Sequence, residues 1–181
     1  MAQKKPHVAM ILFRRKFCDP QVDGNDYCEI EVLLSQRAAF QYEEESPKPQ
    51  SFFRGMQIFP GGKMEDGDRD SWHCAMRELR EEGGDLAYSW VKALLEMDHS
   101  RLRSVDEYCY AIELAQDESE KFVSLIKLAP EHTSIGWYSH LEVSKFKDLA
   151  PYKDQVPKGI KAIFADEAGW IKKLAETMAN L

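Results

Sequence analysis

The sequence predicts one α/β domain, and three observations indicate it. The chain has 181 residues, a length that fits one compact domain with its own core. Hydrophobic residues make up 44% and charged residues 30%, which is typical of globular proteins and excludes a disordered chain, a collagen and a coiled coil. Apolar runs of strand length are interspersed with stretches at helical spacing. We therefore expect residues 1–181 to form a single domain with both strands and helices.

The charge and the apolar content restrict the partners and the location. Lys and Arg number 24 and Asp and Glu number 31, so the net charge is −7. Non-specific binding to nucleic acid needs a basic surface, which this balance does not provide. No apolar stretch approaches the ~20 residues of a membrane span, and residues 8–13 are too few for a signal-peptide core. Four widely spaced cysteines without a C-x-x-C pair predict reduced thiols and a cytoplasmic protein.

The first third of the chain predicts three strands. Residues 8–13 are a continuous apolar run, and residues 29–35 alternate partly between apolar and polar side chains. Pro, Asp, Gly and Asn residues within 18–26 predict that a long turn joins these two strands into a hairpin. Residues 56–59 predict a third, short strand that ends at a Pro-Gly-Gly sequence.

The segment before the third strand is rich in charge and proline. Residues 43–45 are consecutive glutamates, and Pro47 and Pro49 follow them. These residues disfavour regular structure, and a loop this long inside a domain is usually functional or disordered. Three roles stay open for the aromatic-rich insert over residues 40–53, which contains the segment 41–51: covering a flat group of a ligand, contacting a second copy of the chain, or disorder.

The remaining two thirds predict helices and strands in alternation. A helix over 71–82 begins at a capping Asp70 or Ser71 and ends at two glycines. The other predicted elements are a helical or irregular segment 86–97, strands 107–114 and 121–128 joined by a hairpin at 116–120, a strand 133–139 and a C-terminal helix 158–178.

Three carboxylates share one face of the predicted helix 71–82. At 100° per residue, Glu78, Glu81 and Glu82 point in similar directions, beside an apolar stripe. Two like charges ~4 Å apart cost roughly 4 kcal/mol near a protein surface, so such a cluster calls for solvent or a cation. Oxygen ligands suit Mg²⁺ or Mn²⁺, and the preceding Gly61 and Gly62 allow close approach to backbone carbonyls. A solvated acidic surface and a metal site both fit this pattern.

The order of these residues resembles the signature of the Nudix hydrolases, G-x5-E-x7-R-E-U-x-E-E-x-G-U, in which U is a bulky aliphatic residue. The matching residues are Gly62, Arg77, Glu78, Leu79, Glu81, Glu82 and Gly84. The preceding run, residues 59–63, is also similar to the family's approach to this motif.

The match has three departures. Asp68 stands where Glu is usual, and eight residues instead of seven separate it from Arg77. Asp85 replaces the last aliphatic residue, with Leu86 one place later. We expect the extra residue to be absorbed in the turn before the helix, without rotating the glutamate face. We expect Asp68 to weaken a loop contact and to leave the chemistry intact.

The resemblance implies a fold and a reaction. The fold is an α/β/α sandwich around a mixed β-sheet. The reaction is Mg²⁺-dependent hydrolysis of a diphosphate linkage in a nucleoside diphosphate derivative or a similar X-linked diphosphate, with Mn²⁺ as a substitute for Mg²⁺. The partner is therefore a small diphosphate substrate of open identity. The oligomeric state is also open, with a homodimer as one alternative.

The resemblance also implies roles for single residues. The metal ligands are Glu78, Glu81, Glu82 and Gly61. The catalytic residues are Glu82, Glu81 and the loop acid Glu131. Arg37 binds a substrate phosphate, and Arg77 supports the site through ion pairs such as one to Glu81. His132, next to Glu131, is expected to be a bystander.

Two other functions share this fold. A non-catalytic binding module generally loses motif glutamates, and none of the three is lost here. An isomerase of isopentenyl diphosphate needs a catalytic cysteine and glutamate in different contexts, and Cys74 lies inside the predicted helix. The hydrolase is the interpretation that the motif favours.

Overall fold

The computed structural model describes residues 5–16, 29–37, 52–53, 55–152, 156–157 and 159–180. The predicted turn within 18–26 and the proline-rich segment 41–51 lie outside these ranges. Of the cysteines, Cys74 and Cys109 are within them, and both are buried free thiols.

The strands and helices of the described residues follow in chain order. The strands are β1 His7–Lys16, β2 Glu29–Arg37, β3 Phe52–Phe53, β4 Met56–Ile58, β5 Gly61–Lys63, β6 Leu102–Asp106, β7 Cys109–Glu113, β8 His132–Ser139, β9 Lys147–Asp148, β10 Val156–Pro157 and β11 Ala162–Ile163. The helices are α1 Ser71–Gly83, α2 Asp85–Met97, α3 Gln116–Leu125, α4 His140–Val143 and α5 Ala165–Ala179.

The central sheet is mixed. Its path is β4-β2-β1-β7-β6, with β5 paired to β1 and β8 paired to β2. The β1–β2 pair is antiparallel, as the predicted hairpin requires, whereas β1 and β7 are parallel. Two small sheets, β3 with β10 and β9 with β11, lie outside it.

Strands β1 and β2 separate at the point where the approach to the motif enters. The C-terminal half of β1 pairs with β2, and its N-terminal half pairs with β5. The connection between β4 and β5 fills the gap, because the Met10 N–H donates to the Pro60 carbonyl at 3.0 Å and the Phe59 N–H donates to the Leu33 carbonyl at 3.4 Å. The sheet thereby holds the glycine segment from both sides.

Helices cover both faces of the sheet. Residues 8–13 of β1 are all fully buried, which is typical of a strand covered on both sides. Val8, Met10 and Leu12 contact the cluster that contains α1, α2 and α3. The alternate side chains of β1 contact the cluster that contains α5. This arrangement confirms the predicted α/β/α sandwich around a mixed sheet.

The predicted helix of the motif is confirmed as α1. The Asp70 side chain caps it by accepting the His73 backbone N–H at 2.8 Å, and Gly84 ends it with a φ of 88°. The helix is regular from Ser71, so the extra residue of the motif lies in the preceding turn. Among the helices of the described ranges, none is long and apolar enough to cross a membrane.

The predicted strand 121–128 and hairpin 116–120 are wrong. These residues belong mainly to α3, whose start is fixed when the Glu118 carboxylate accepts the Ala115 backbone N–H at 2.8 Å. Ser119 and Phe122, three residues apart, are its buried side chains. The apolar run 122–128 resembled a strand because a short apolar run has no period of its own.

The C-terminal helix begins later than predicted. It starts at Ala165 instead of residue 158, because Ala162–Ile163 pairs with Lys147–Asp148 and Gly159 adopts a φ of 88°. The short strands β5 and β6 were also missed. Strand β5 pairs with β1, which is distant in the sequence, and β6 pairs with β7, which follows it after two residues.

Candidate active site

Helix α1 buries two motif glutamates beside the glycine segment. Glu78 and Glu82 are both buried, one turn apart, whereas Leu79 between them packs in the core. The Gly61 backbone N–H donates to Glu82 Oε2 at 3.0 Å, and the Gln57 amide donates to Glu82 Oε1 at 3.4 Å. Glu82 is thus oriented by strands β4 and β5 as well as by its own helix.

Gly62 is required by the position of Glu78. A Cβ atom built on Gly62 would lie 2.1 Å from Glu78 Oε1, well inside van der Waals contact. The Glu78 carboxylate therefore lies directly against the Gly62 backbone, at the place that a side chain would fill. The first glycine of the motif makes room for the first glutamate of its helix.

Burial changes the proton affinity of Glu78. Desolvation, together with the charges of Glu82 and Glu81, raises the pKa of the Glu78 carboxyl to about 7, although Arg77 acts in the opposite direction. In the absence of a cation, Glu78 is therefore partly protonated near neutral pH. The raised pKa shows that burial of this carboxylate outweighs the single ion pair with Arg77.

Arg77 ties the turn before the helix to the glutamate face. Its guanidinium donates to both carboxylate oxygens of Asp68, at 3.0 and 2.9 Å. It also donates to Glu78 Oε1 at 2.9 Å, to Glu81 Oε2 at 2.8 Å and to the Lys63 carbonyl at 3.0 Å. The expected ion pair between Arg77 and Glu81 is present.

Asp68 reaches Arg77 despite being shorter than the usual glutamate. Its side chain is buried and also accepts the Glu65 backbone N–H at 2.7 Å. The hydrogen bonds from Arg77 hold the pKa of the Asp68 carboxyl well below its usual range. Asp68 was expected to weaken a loop contact, and the structure shows that this contact is formed as a two-pronged ion pair.

Glu81 is separated from the buried pair. Its side chain is 56% exposed, and Arg77 holds it at the rim of the site. The structure thus brings Glu78, Glu82 and the glycine segment together and leaves Glu81 at the surface beside them. Its roles as a metal ligand and a catalytic residue stay predictions.

The loop before β8 brings Glu131 and His132 to Glu82. Two backbone hydrogen bonds join this loop to the end of α1: Lys127 N–H to the Gly83 carbonyl at 2.9 Å, and Ala129 N–H to the Glu82 carbonyl at 3.1 Å. His132 Nε2 lies 3.1 Å from Glu82 Oε1 and 3.8 Å from Glu131 Oε1. The ligand atoms of Glu82, Glu131 and His132 all lie within 4.8 Å of one another.

His132 and Gln57 are site residues that the sequence reasoning missed. His132 was expected to be a bystander, and the structure places its fully buried side chain against Glu82. The signal for it was its place directly after the candidate loop acid, at the first position of a strand. Gln57 carried no signal beyond being a polar residue in an apolar strand, where it is buried.

Arg37 ends β2 at the same edge of the sheet. It pairs in register with His132, and its backbone N–H donates to the Gly55 carbonyl at 3.3 Å. Its Nε atom is buried and forms no hydrogen bond to any residue that the structure describes. The predicted phosphate-binding residue is therefore close to the loop acid in the sheet, and its role stays a prediction.

Comparison with known proteins identifies the family. Residues 8–158 match the family model of the NUDIX domain. Similar solved structures include a C. elegans Ap4A hydrolase binary complex, at 15% identity over 97% of this chain and 100% of that chain with a TM-score of 0.47. Another is a mutT/nudix family protein from Listeria innocua, at 14% identity over 99% of this chain and 97% of that chain with a TM-score of 0.49. No curated protein matches the chain.

The family model covers most of the sequence, and the chain therefore belongs to the Nudix family, whose members are hydrolases that act on diphosphate bonds.

Proposed function

We propose that the protein is a divalent-metal-dependent pyrophosphohydrolase that cleaves a diphosphate linkage in a nucleoside diphosphate derivative or a similar X-linked diphosphate. The observation that carries the proposal is the burial of Glu78 and Glu82 on adjacent turns of α1, against the backbone of Gly62 and Gly61. Arg77 contacts Glu78 but not Glu82, and two buried carboxylates that share one guanidinium are unfavourable unless a cation joins them.

The residues present fit Mg²⁺ or Mn²⁺. Carboxylate oxygens and a backbone carbonyl are the ligands that these hard cations take, and Glu78, Glu82 and Gly61 offer them from two rigid elements. Glu81 would join them from the rim. When bound, such a cation neutralises the diphosphate and lowers the pKa of a water molecule.

The chain's own residues have separate tasks in this proposal. Glu82 keeps its orientation because Gly61 and Gln57 donate hydrogen bonds to it. Glu131 is 57% exposed beside Glu82, where one of its carboxylate oxygens can accept a proton from the attacking water as the general base while the other faces the cation. Arg37 offers a guanidinium to a phosphate of the substrate, a role that suits its planar set of donors.

Arg77 acts on the site without touching the substrate. Its guanidinium is engaged by Asp68, Glu78, Glu81 and the Lys63 carbonyl, so it has few donors left for a phosphate. Its task in the proposal is to fix the glutamate face against the turn before the helix. A residue of this kind sets the geometry that the reaction needs.

A screen of diphosphate compounds tests the proposal. The full chain is incubated with nucleoside diphosphate derivatives, dinucleoside polyphosphates and sugar nucleotides plus Mg²⁺, and phosphate is measured after a phosphatase has cleaved the products. We expect metal-dependent release from at least one class and none from Glu82→Gln. Metal-dependent binding of these compounds without release would favour the non-catalytic binding module instead.

A further inference from the structure

His132 is a buried imidazole that lies between two carboxylates and forms no hydrogen bond within the described ranges. Its side chain is 0% exposed, and neither ring nitrogen has a hydrogen-bond partner among the described residues. The ring packs edge-to-face on Phe59, with centroids 5.5 Å apart and planes at 88°, so apolar packing fixes its orientation. A buried polar group without a hydrogen bond is costly, and its presence calls for a function.

The distances around Nε2 fit ligand atoms that share one cation. Nε2 is 3.1 Å from Glu82 Oε1, within the distance of an ion pair, but the two groups are not arranged as a hydrogen bond. Two ligands bound about 2.1 Å from one cation lie about 3.0 Å apart at right angles and about 3.4 Å apart at a tetrahedral angle. Glu131 Oε1, 3.8 Å from Nε2, falls between the right-angled and the opposite arrangement.

We infer that His132 Nε2 is a ligand of a divalent cation that it shares with Glu82 and Glu131. The inference rests on the proposed function, because both place a cation at Glu82, and it adds a nitrogen ligand to a set made of oxygens. Imidazole favours transition metals, whereas Mg²⁺ takes oxygen ligands. The site therefore binds Mn²⁺ and Co²⁺ in preference to Mg²⁺, and His132 is the residue that sets this preference.

A pulsed electron paramagnetic resonance experiment detects the nitrogen directly. Mn²⁺ is titrated into the full chain, and the modulation from a coordinated ¹⁴N nucleus is recorded. We expect this modulation in the natural sequence, and we expect it to change when the histidines are labelled with ¹⁵N. It should be lost in His132→Ala and in His132→Gln, the second of which retains more of the side-chain volume for folding. It should persist in His99→Gln, because His99 is an exposed histidine in the turn after α2.

Calorimetric titrations with Mg²⁺ and Co²⁺ give a second readout. Mutation of a residue that only hydrogen-bonds to a metal ligand typically lowers metal affinity about ten- to a hundredfold. Loss of a ligand itself should cost at least as much, so we expect His132→Ala to weaken Co²⁺ binding at least about tenfold. Mg²⁺ binding should change by less than about threefold, because its ligands are oxygens. His99→Gln should leave both affinities unchanged.

Three results would overturn the inference in distinguishable ways. Mn²⁺ binding without nitrogen modulation means an all-oxygen site and leaves the proposed function standing. Equal losses of Mg²⁺ and Co²⁺ affinity in His132→Ala, again without modulation, mean that His132 only positions Glu82. Failure of the natural sequence to bind any of the three cations would contradict the proposed function as well.

Discussion

Glu82 has the largest number of independent constraints among the motif glutamates. Strands β4 and β5 donate hydrogen bonds to its side chain, and the loop before β8 donates one to its backbone carbonyl. Three separate parts of the chain thus converge on one residue. This convergence makes Glu82 the residue at which a single atomic change should affect the reaction most.

Glu82→Gln should abolish most of the activity and leave the fold intact. The amide keeps the size and still accepts the Gly61 hydrogen bond, but it removes the charge that a cation needs. We expect kcat to fall by orders of magnitude, on the scale of several kcal/mol. Steady-state kinetics and circular dichroism measure the two effects. The control Glu96→Gln changes an exposed carboxylate of α2 and should be neutral. A Glu82→Gln variant within about threefold of the natural sequence would contradict the assignment.

Gly62→Ala should damage the site by displacing Glu78. The added Cβ would meet the Glu78 carboxylate at 2.1 Å, so one of the two groups must move. We expect weaker metal binding and lower kcat, as measured by calorimetry and kinetics. Gly67→Ala, in the same connection, has no atom within 4 Å of the new Cβ and should behave like the natural sequence. Equal behaviour of the two variants would show that Glu78 has room to adjust.

At the scale of the element, the turn and helix of the motif are joined by the Asp68–Arg77 ion pair. The sequence predicted α1 well, because a cap, an amphipathic face and terminal glycines all agreed. Helical geometry places Glu78, Glu81 and Glu82 on one face but does not show which of them are buried. The sequence therefore predicted the carboxylate cluster only in outline. Which of them is buried depends on β4 and β5, and these strands are positioned by pairing across the sheet.

Other elements could not be predicted for a related reason. The segment that became α3 contains residues with a preference for strands, and its helix depends on a cap from Glu118 and on the burial of Phe122. Strand β5 is three residues long and includes two glycines, so only its pairing with β1 defines it. Similarly, His132 entered the site because backbone contacts between α1 and the loop before β8 bring it there. Each miss reflects a tertiary contact that overrides local preference.

Asp68→Asn should destabilise the protein in a pH-dependent manner. Arg77 lowers the pKa of Asp68 in the folded protein below the ordinary value of 3.8. The Asp68 carboxylate therefore makes its full contribution to the free energy of unfolding above pH 3.8, and this contribution is lost as the pH falls further. We expect a cost of about 1–3 kcal/mol at neutral pH, because the buried Arg77 contact loses its charge. Urea unfolding between pH 2.5 and 7 should show the difference shrinking below pH of about 4.

Asp66→Asn is the matched control for this prediction. Asp66 is in the same turn, but its side chain is 96% exposed and its ion pair with Lys5 is at the surface. Such pairs contribute little to stability, so the variant should match the natural sequence at every pH. If Asp68→Asn were equally stable at neutral pH, the ion pair would have no part in holding the motif together.

At the scale of the whole molecule, cation binding should raise the melting temperature. The metal binds the folded state, and at a hundred times its dissociation constant it adds about 2.7 kcal/mol. For a chain of this size, that corresponds to a shift of roughly 5–10 °C. Differential scanning calorimetry with Mn²⁺ and a non-hydrolysable diphosphate measures it. The double variant Glu78→Gln, Glu82→Gln should show little shift, and no shift in the natural sequence at millimolar metal would contradict the proposed site.

The gap between β1 and β2, which the β4–β5 connection fills, determines which part of the site can adjust to a ligand. The backbone between β4 and β5 is hydrogen-bonded to both strands, through Met10 and Phe59, at the centre of the sheet. Freeing it requires opening that centre, so amide hydrogen exchange at Met10 and Phe59 should occur only with global unfolding. The loop before β8 has two backbone hydrogen bonds to the end of one helix and none to the sheet centre among the described residues, so its amides should exchange through local opening. We therefore expect one wall of the site to be preformed and the wall that holds Glu131 to move when a ligand binds.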